Sequence, residues 1–189
     1  MGVPQFSIKR TNMTDEEKLR NLVLAPYILK ATALIGVQRK VGGNQFRHAM
    51  ATLTILLDYK LFSDPVLLKA SVIHDLIEDV PNTNIEELKR IDSDACKVID
   101  LVQEVTRHLG ESKVHYLKRI LNSGSPNAKL LKVADRISNL TDLHLGIFSP
   151  EKFQRYINET EKYVLPMAKE VSPNMYKELK DLIIIRREK

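Results

Sequence analysis

An all-α fold, a compact bundle of about eight to ten helices, is what the sequence predicts. Apolar residues recur at steps of three and four along nearly the whole chain, and helix start and stop signals bracket those runs. No segment alternates convincingly with the two-residue period of a strand. In chain order, "QRKVGGNQFRH" (38–48) is the most conspicuous irregular loop, because Gly42-Gly43 breaks the pattern before "HAMATLTILLDY" restores it. In "DPVLLKASVIHDLIEDV" (64–80), Asp64-Pro65 opens a helix and Pro81 closes it near Val80, with Val66, Leu67, Ala70, Ile73, Leu76 and Ile77 on the apolar side. "NIEELKRI", "DACKVIDLVQEVT", "NAKLLKVADRISNLTDLHLG" and "SPEKFQRYINETEKYVLPMAKEVS" follow as helices, several opening on Asn, Asp or Ser as caps. A last helix continues the Leu179 and Leu182 spacing through "IIIRR" to residue 187.

With 189 residues and no long linker, repeat or low-complexity stretch, the chain is expected to form a single domain, residues 1–189, with its core over roughly 25–170. It is 43% hydrophobic and has no apolar run near the roughly 20 residues a membrane span needs, so a soluble protein with no membrane partner is expected. "MGVPQFSIKR" has neither an export signal nor the full myristoylation pattern, and the single Cys96 excludes an internal disulfide framework, so a cytoplasmic location is expected. Cys96 itself reads as core filler. A net charge of +5 spread without a basic block favours a phosphate-bearing partner. With 6% aromatics and no Trp, a stacking platform for single-stranded nucleic acid is poorly supported, and a small nucleotide is the expected partner. No feature specifies an oligomeric state.

The chemistry concentrates in "VIHDLIEDV". Charged side chains are expensive to bury unless paired, and on a continuous helix His74 would lie beside Glu78 and Asp75 beside Asp79. Three carboxylates that close raise one another's pKa values unless a cation lies among them. A metal ion is the economical answer, with His74 and Asp75 as ligands and Glu78 and Asp79 placed to act on water. The alternative is a wet helix face with a weak His74–Glu78 ion pair. Two adjacent ligands cannot fill a coordination shell, so the metal reading requires partners elsewhere. His48, after the Gly-Gly loop, and Asp135, interrupting "LLKVADRISNL", are the candidates, although each alone also suits a cap or a solvated position.

The order His48, His74-Asp75, Asp135 resembles the HD superfamily of metal-dependent phosphohydrolases. "HDLIED", "SPNAKLLKVADRISNLTDL", "EVT" at 104–106 and "RKVGGNQFRH" are similar to the RelA/SpoT-type alarmone hydrolase domain, over roughly residues 25–170. The resemblance implies an HD-domain helical bundle. It implies that His48, His74, Asp75 and Asp135 hold a divalent ion, with manganese expected, and that Glu78 and Asp79 position and activate the water. It further implies removal of the 3′-pyrophosphate from (p)ppGpp to give GDP or GTP, with Arg39, Lys40 and Asn139 contacting the nucleotide. Lys113, Lys118 and Arg119 are further basic candidates for the pyrophosphate. Asn44-Gln45-Phe46, Ala49 and Ser138 depart from the family pattern, as does "EDVPNT", so the base pocket is expected to differ. Competing expectations are another nucleotide substrate, such as NADPH through 2′-phosphatase action or ppApp, and an antitoxin-like binding module.

Overall fold

A computed structural model describes residues 13–188. Among them are twelve α-helical segments, two of which are single turns, and no strand. The N-terminal ten residues on which the export and myristoylation readings rest lie outside the described residues. Among the described residues no single helix is long and apolar enough to cross a membrane.

The chain opens with α1 (Asp15–Asn21), capped by Thr14 and Glu17 in a reciprocal capping box, and α2 (Ala25–Ala31), which runs into a 3-10 turn at Thr32–Gly36. The loop at 38–44 is irregular, as its sequence predicts. Gly42 and Gly43 take φ of +87° and +71°, values that carry little penalty only for glycine. This lets Arg39 N–H reach Gly43 O and pairs Gln38 with Asn44 in an isolated bridge. Asn44 then caps α3 (Gln45–Asp58), which starts three residues before His48.

α4 (Pro65–Ile73) is capped by Asp64, as its sequence predicts, but the helix does not run unbroken to Val80. It stops at Ile73, and a single turn, α5 (Leu76–Asp79), resumes after His74 and Asp75. Asp75 has φ −93° and ψ −3°, between the allowed helix and strand regions, which interrupts the regular ladder. The turn α6 (Ile85–Leu88) leads to α7 (Ala95–Val105), on which Ala95, Val98 and Ile99 take the core-facing positions. Cys96 falls on the other side and is exposed, so it does not fill the core. α8 (Lys113–Ser123) and α9 (Pro126–Asp142) follow, each opening on a capping serine.

The helix expected over 149–172 is α10 (Pro150–Glu159) and α11 (Leu165–Val171) joined by a π-turn at Thr160–Val164. Pro166 lacks the amide that would donate to the carbonyl four residues earlier, and the wider turn accommodates that loss. α12 (Pro173–Arg187) closes the chain.

α9 is the central helix, packed against α3, α7, α11 and α12. It is buried nearly all round, which predicts an apolar sequence, yet Lys129, Asp135, Arg136 and Ser138 are among its buried residues. Most have clear partners: Lys129 Nζ donates to Glu170 Oε1 at 2.6 Å, and Ser138 meets His48. At its C-terminal end Arg186 from α12 donates to Leu140 O and Thr141 O, both at 2.7 Å, satisfying carbonyls that a helix end leaves open. The buried apolar side chains of α2, α3, α4, α7, α9, α11 and α12 form one contiguous core, and the cleft described next opens along α9.

Candidate functional site

His48 lies in the first turns of α3, His74 and Asp75 occupy the break between α4 and α5, and Asp135 lies midway along α9. Their side chains converge. His48 Nε2 is 3.0 Å from Asp135 Oδ1 and 3.7 Å from Asp75 Oδ2, while His74 Nε2 is 3.3 Å from Asp75 Oδ2 and 4.0 Å from Asp135 Oδ1. His48, His74 and Asp135 are buried and each offers a donor atom within 4.8 Å of the others, a cluster that can hold a metal ion. Asp75 is half-buried at its edge.

The tautomer of His74 tests whether an ion fits. His74 Nδ1 is 2.8 Å from Ser71 O, a carbonyl that can only accept, so the proton sits on Nδ1 and Nε2 presents a bare lone pair. That Nε2 is buried without a hydrogen-bond partner. An orphaned buried acceptor costs about 1–3 kcal/mol, and a cation between the imidazoles and carboxylates removes that penalty. His48 is oriented by a hydrogen bond between Nδ1 and Ser138 Oγ at 2.9 Å, with Nε2 turned to Asp135 Oδ1 at 3.0 Å. Two imidazole nitrogens and carboxylate oxygens suit several divalent transition metals.

The charge of Asp135 is prepared by its neighbours. Burial opposes ionisation, but the Lys132 ammonium 2.6 Å from Oδ2, with His48 and His74, holds its carboxyl well below the usual carboxylate range. Asn139 Nδ2 donates to Oδ1 at 2.6 Å, and Arg39 Nη2 donates to Asn139 Oδ1 at 2.8 Å, with Asp142 on its other arm at 3.5 Å. Arg39 is therefore joined to the cluster through Asn139 rather than left on a solvated loop, while Lys40 stands on the neighbouring wall.

Glu78 and Asp79 differ from each other. Asp79 is half-buried and accepts from Gln45 Nε2 at 2.6 Å, and burial together with the nearby Asp75 charge pushes its pKa up. Glu78 is exposed, accepts from Arg107 N at 3.3 Å and lies 3.8 Å from the Arg107 guanidinium. Because the helix breaks at His74-Asp75, Glu78 pairs with Arg107 and the expected contact with His74 is not made.

These residues line a cleft of about 750 Å³, within the range of small-molecule sites. Of the three basic candidates on α8, only Lys113 reaches it. Lys118 is exposed elsewhere, and Arg119 is consumed by Glu111 and by the carbonyls of Glu104 and Thr106.

No family model matches the chain. It is 30% identical over 155 residues to the GTP pyrophosphokinase of Streptomyces coelicolor, covering 78% of this chain and 18% of that protein. It is 27% identical over 154 residues to the guanosine-3′,5′-bis(diphosphate) 3′-pyrophosphohydrolase of Haemophilus influenzae, covering 78% and 22%. The Mus musculus protein of the same name is 31% identical over 106 residues, covering 54% and 58%. A solved structure, described as a metazoan ortholog of SpoT that hydrolyses ppGpp, superposes with a TM-score of 0.75 at 23% identity, over 93% of this chain and 98% of that one. The chain therefore has the all-α fold of that solved structure. The chain spans about a fifth of the length of the Streptomyces and Haemophilus proteins.

Within this cleft, sequence reasoning missed Lys132, Arg136 and Tyr156. Lys132 carried a signal, since it precedes Asp135 by three residues on one helix. Gln45 and Ser138 were legible only as departures from the family pattern, and the structure shows that each contacts a site residue.

Proposed function

We propose that this domain is a divalent-metal-dependent 3′-pyrophosphohydrolase of (p)ppGpp-type nucleotides, with manganese as the metal. The observation that carries the reading is the bare, buried His74 Nε2 facing His48, Asp75 and Asp135 in a cleft walled by basic side chains. The names of the curated relatives support it.

In this reading His48, His74, Asp75 and Asp135 hold the ion, which when bound supplies Lewis-acid chemistry for hydrolysis at phosphorus. Asp79, steadied by Gln45 through one carboxylate oxygen, orients the attacking water, and Asp79 or Glu78 accepts its proton. The water oxygen forms a bond to the 3′-phosphorus, the bond from phosphorus to O3′ breaks, O3′ takes up a proton from solvent, and GDP or GTP leaves with pyrophosphate as the second product. Arg39, fixed by Asn139, presents a flat guanidinium to the purine, and Lys40 contributes charge beside it.

Incubation with ppGpp, pppGpp, ppApp and NADPH, with manganese and with or without a chelator, tests the assignment. Chelator-sensitive release of pyrophosphate and GDP from ppGpp is the expected result. Phosphate release from NADPH alone would overturn it.

A further inference from the structure

Arg136 is among the largest fully buried side chains of the described residues, with 2% of its surface exposed. A buried guanidinium normally has a carboxylate beside it, because an uncompensated charge in the interior costs several kcal/mol. Among the described residues Arg136 has none within ion-pair distance. Lys132 holds Asp135 at 2.6 Å, and the buried Glu159 Oε2, which has no hydrogen-bond partner, lies 2.8 Å from Lys113 Nζ.

What Arg136 does touch is neutral. Nη1 donates to Thr160 Oγ1 at 2.6 Å, and the guanidinium carbon stands 4.2 Å over the Tyr156 ring. Nε is sealed from solvent with no partner. Nη2 has no hydrogen-bond partner among the described residues either, but it is not among the sealed atoms, and Arg136 lines the cleft. Lys113 Nζ lies 4.4 Å from the same Tyr156 ring, so two cations share one aromatic residue at this part of the cleft wall.

Arg119 shows what a purely structural arginine looks like in this protein. Its Nε, Nη1 and Nη2 all donate, to Glu111, Glu104 O and Thr106 O. Arg136 is more deeply buried and far less satisfied.

We infer that Arg136 is an anion-binding residue, and that its open Nη2, with Lys113 beside it, receives a phosphoryl or pyrophosphoryl group in the cleft. A phosphate-type anion matches the guanidinium fork and supplies the missing counter-charge. Thr160 and Tyr156 hold the guanidinium in place, and the π-turn that begins at Thr160 forms part of that support. The inference rests on the proposed function only for the identity of the anion.

Inorganic pyrophosphate, added to the full chain in chelator, is the probe, read by calorimetry and by thermal melting. Wild type should bind it and melt several degrees higher in its presence. Arg136→Met should melt at or above the wild-type temperature in the free state, because an apolar replacement relieves an uncompensated charge. It should also lose at least about 10-fold in pyrophosphate affinity, as expected for one charge-assisted hydrogen bond. Lys118→Met, a surface change outside the cleft, should bind as wild type does.

A lower free-state melting temperature with pyrophosphate binding retained would make Arg136 a structural brace and overturn the inference, as would a wild type that does not respond to pyrophosphate. If Arg136→Met yields no folded protein, Arg136→Lys decides: reduced affinity supports the inference, and unchanged affinity refutes it. Arg136-dependent pyrophosphate binding without ppGpp hydrolysis would remove the proposed activity alone. Hydrolysis with Arg136-independent pyrophosphate binding would remove this inference alone.

Discussion

On the floor of the cleft, His48 and His74 are each oriented by a hydrogen bond to Ser138 or Ser71, and Asp135 by Lys132 and Asn139. On its rim, Glu78 is exposed and meets Arg107, and Asp79 is held by the Gln45 side-chain amide. The floor is preorganised by the fold, with its side chains oriented before anything binds. The rim is loosely held, as suits the proposed role of Glu78 and Asp79 on water. Substitutions on the floor should therefore alter binding of the ion, and those on the rim should alter turnover.

The largest effect should come from His74→Ala, which deletes a proposed ligand. Calorimetry with manganese should show metal affinity collapsing and activity falling with it by at least about 10²-fold, more than loss of a supporting hydrogen bond typically causes. Normal metal affinity in this variant would dissolve the distinction between floor and rim.

Next come the rim carboxylates. Asp79→Asn should lower kcat by about 10²- to 10⁴-fold, the usual range for losing a general base, while the protein still binds manganese. Glu78→Gln should have the smaller effect, since Glu78 is exposed and turned to Arg107. Equal losses in the two variants would mean that both act on the water together.

Ser138→Ala sharpens the contrast from the other side. It removes the partner of His48 Nδ1 without removing a ligand, so metal affinity should fall by about 10- to 100-fold. Once the ion is saturating, kcat should recover. Failure to recover would place Ser138 in the reaction itself.

The smallest effect is on stability. The Arg119 guanidinium holds Glu111 down to about 2 from an ordinary value of 4.5. A carboxylate depressed in the folded state adds stability above its unfolded pKa, and that contribution is lost as pH falls from about 4.5 to about 2. Urea titrations across that window should show wild type losing more stability than Arg119→Met. Parallel curves would leave the pair without measurable weight.

Much of this was legible in the sequence because polar residues stood out against apolar runs. His48, His74 and Asp135 interrupt helices rich in apolar residues, and Asp64, Asn84 and Ser149 cap helices as their residue types predict, whereas the helix expected to open on Asn127 is capped by Ser125, two residues earlier. The break at His74-Asp75 was not legible, since neither glycine nor proline marks it and it depends on the backbone of one aspartate. Cys96 was misplaced because a small hydrophobe in an amphipathic helix carries little information about its side. Lys113 and Arg119 lie on one helix six residues apart. Only the three-dimensional positions of Glu111 and the Glu104 carbonyl show that Arg119 is tied away from the cleft, while Lys113, beside Glu159, lines it.

The π-turn at Thr160–Val164 has a meaning in terms of insertion and deletion. A turn of that width holds one residue more than an α-helical turn spanning the same ladder, so it behaves as a single-residue insertion retained within a helix. In a regular helix one added residue rotates everything after it by about 100°; the widened turn takes up that residue locally, so Met167 and Ala168 stay buried against the core. A change of one residue in length is thus absorbed at this turn without swinging α11 away from the core, whereas the same change inside α11 would turn that face outward.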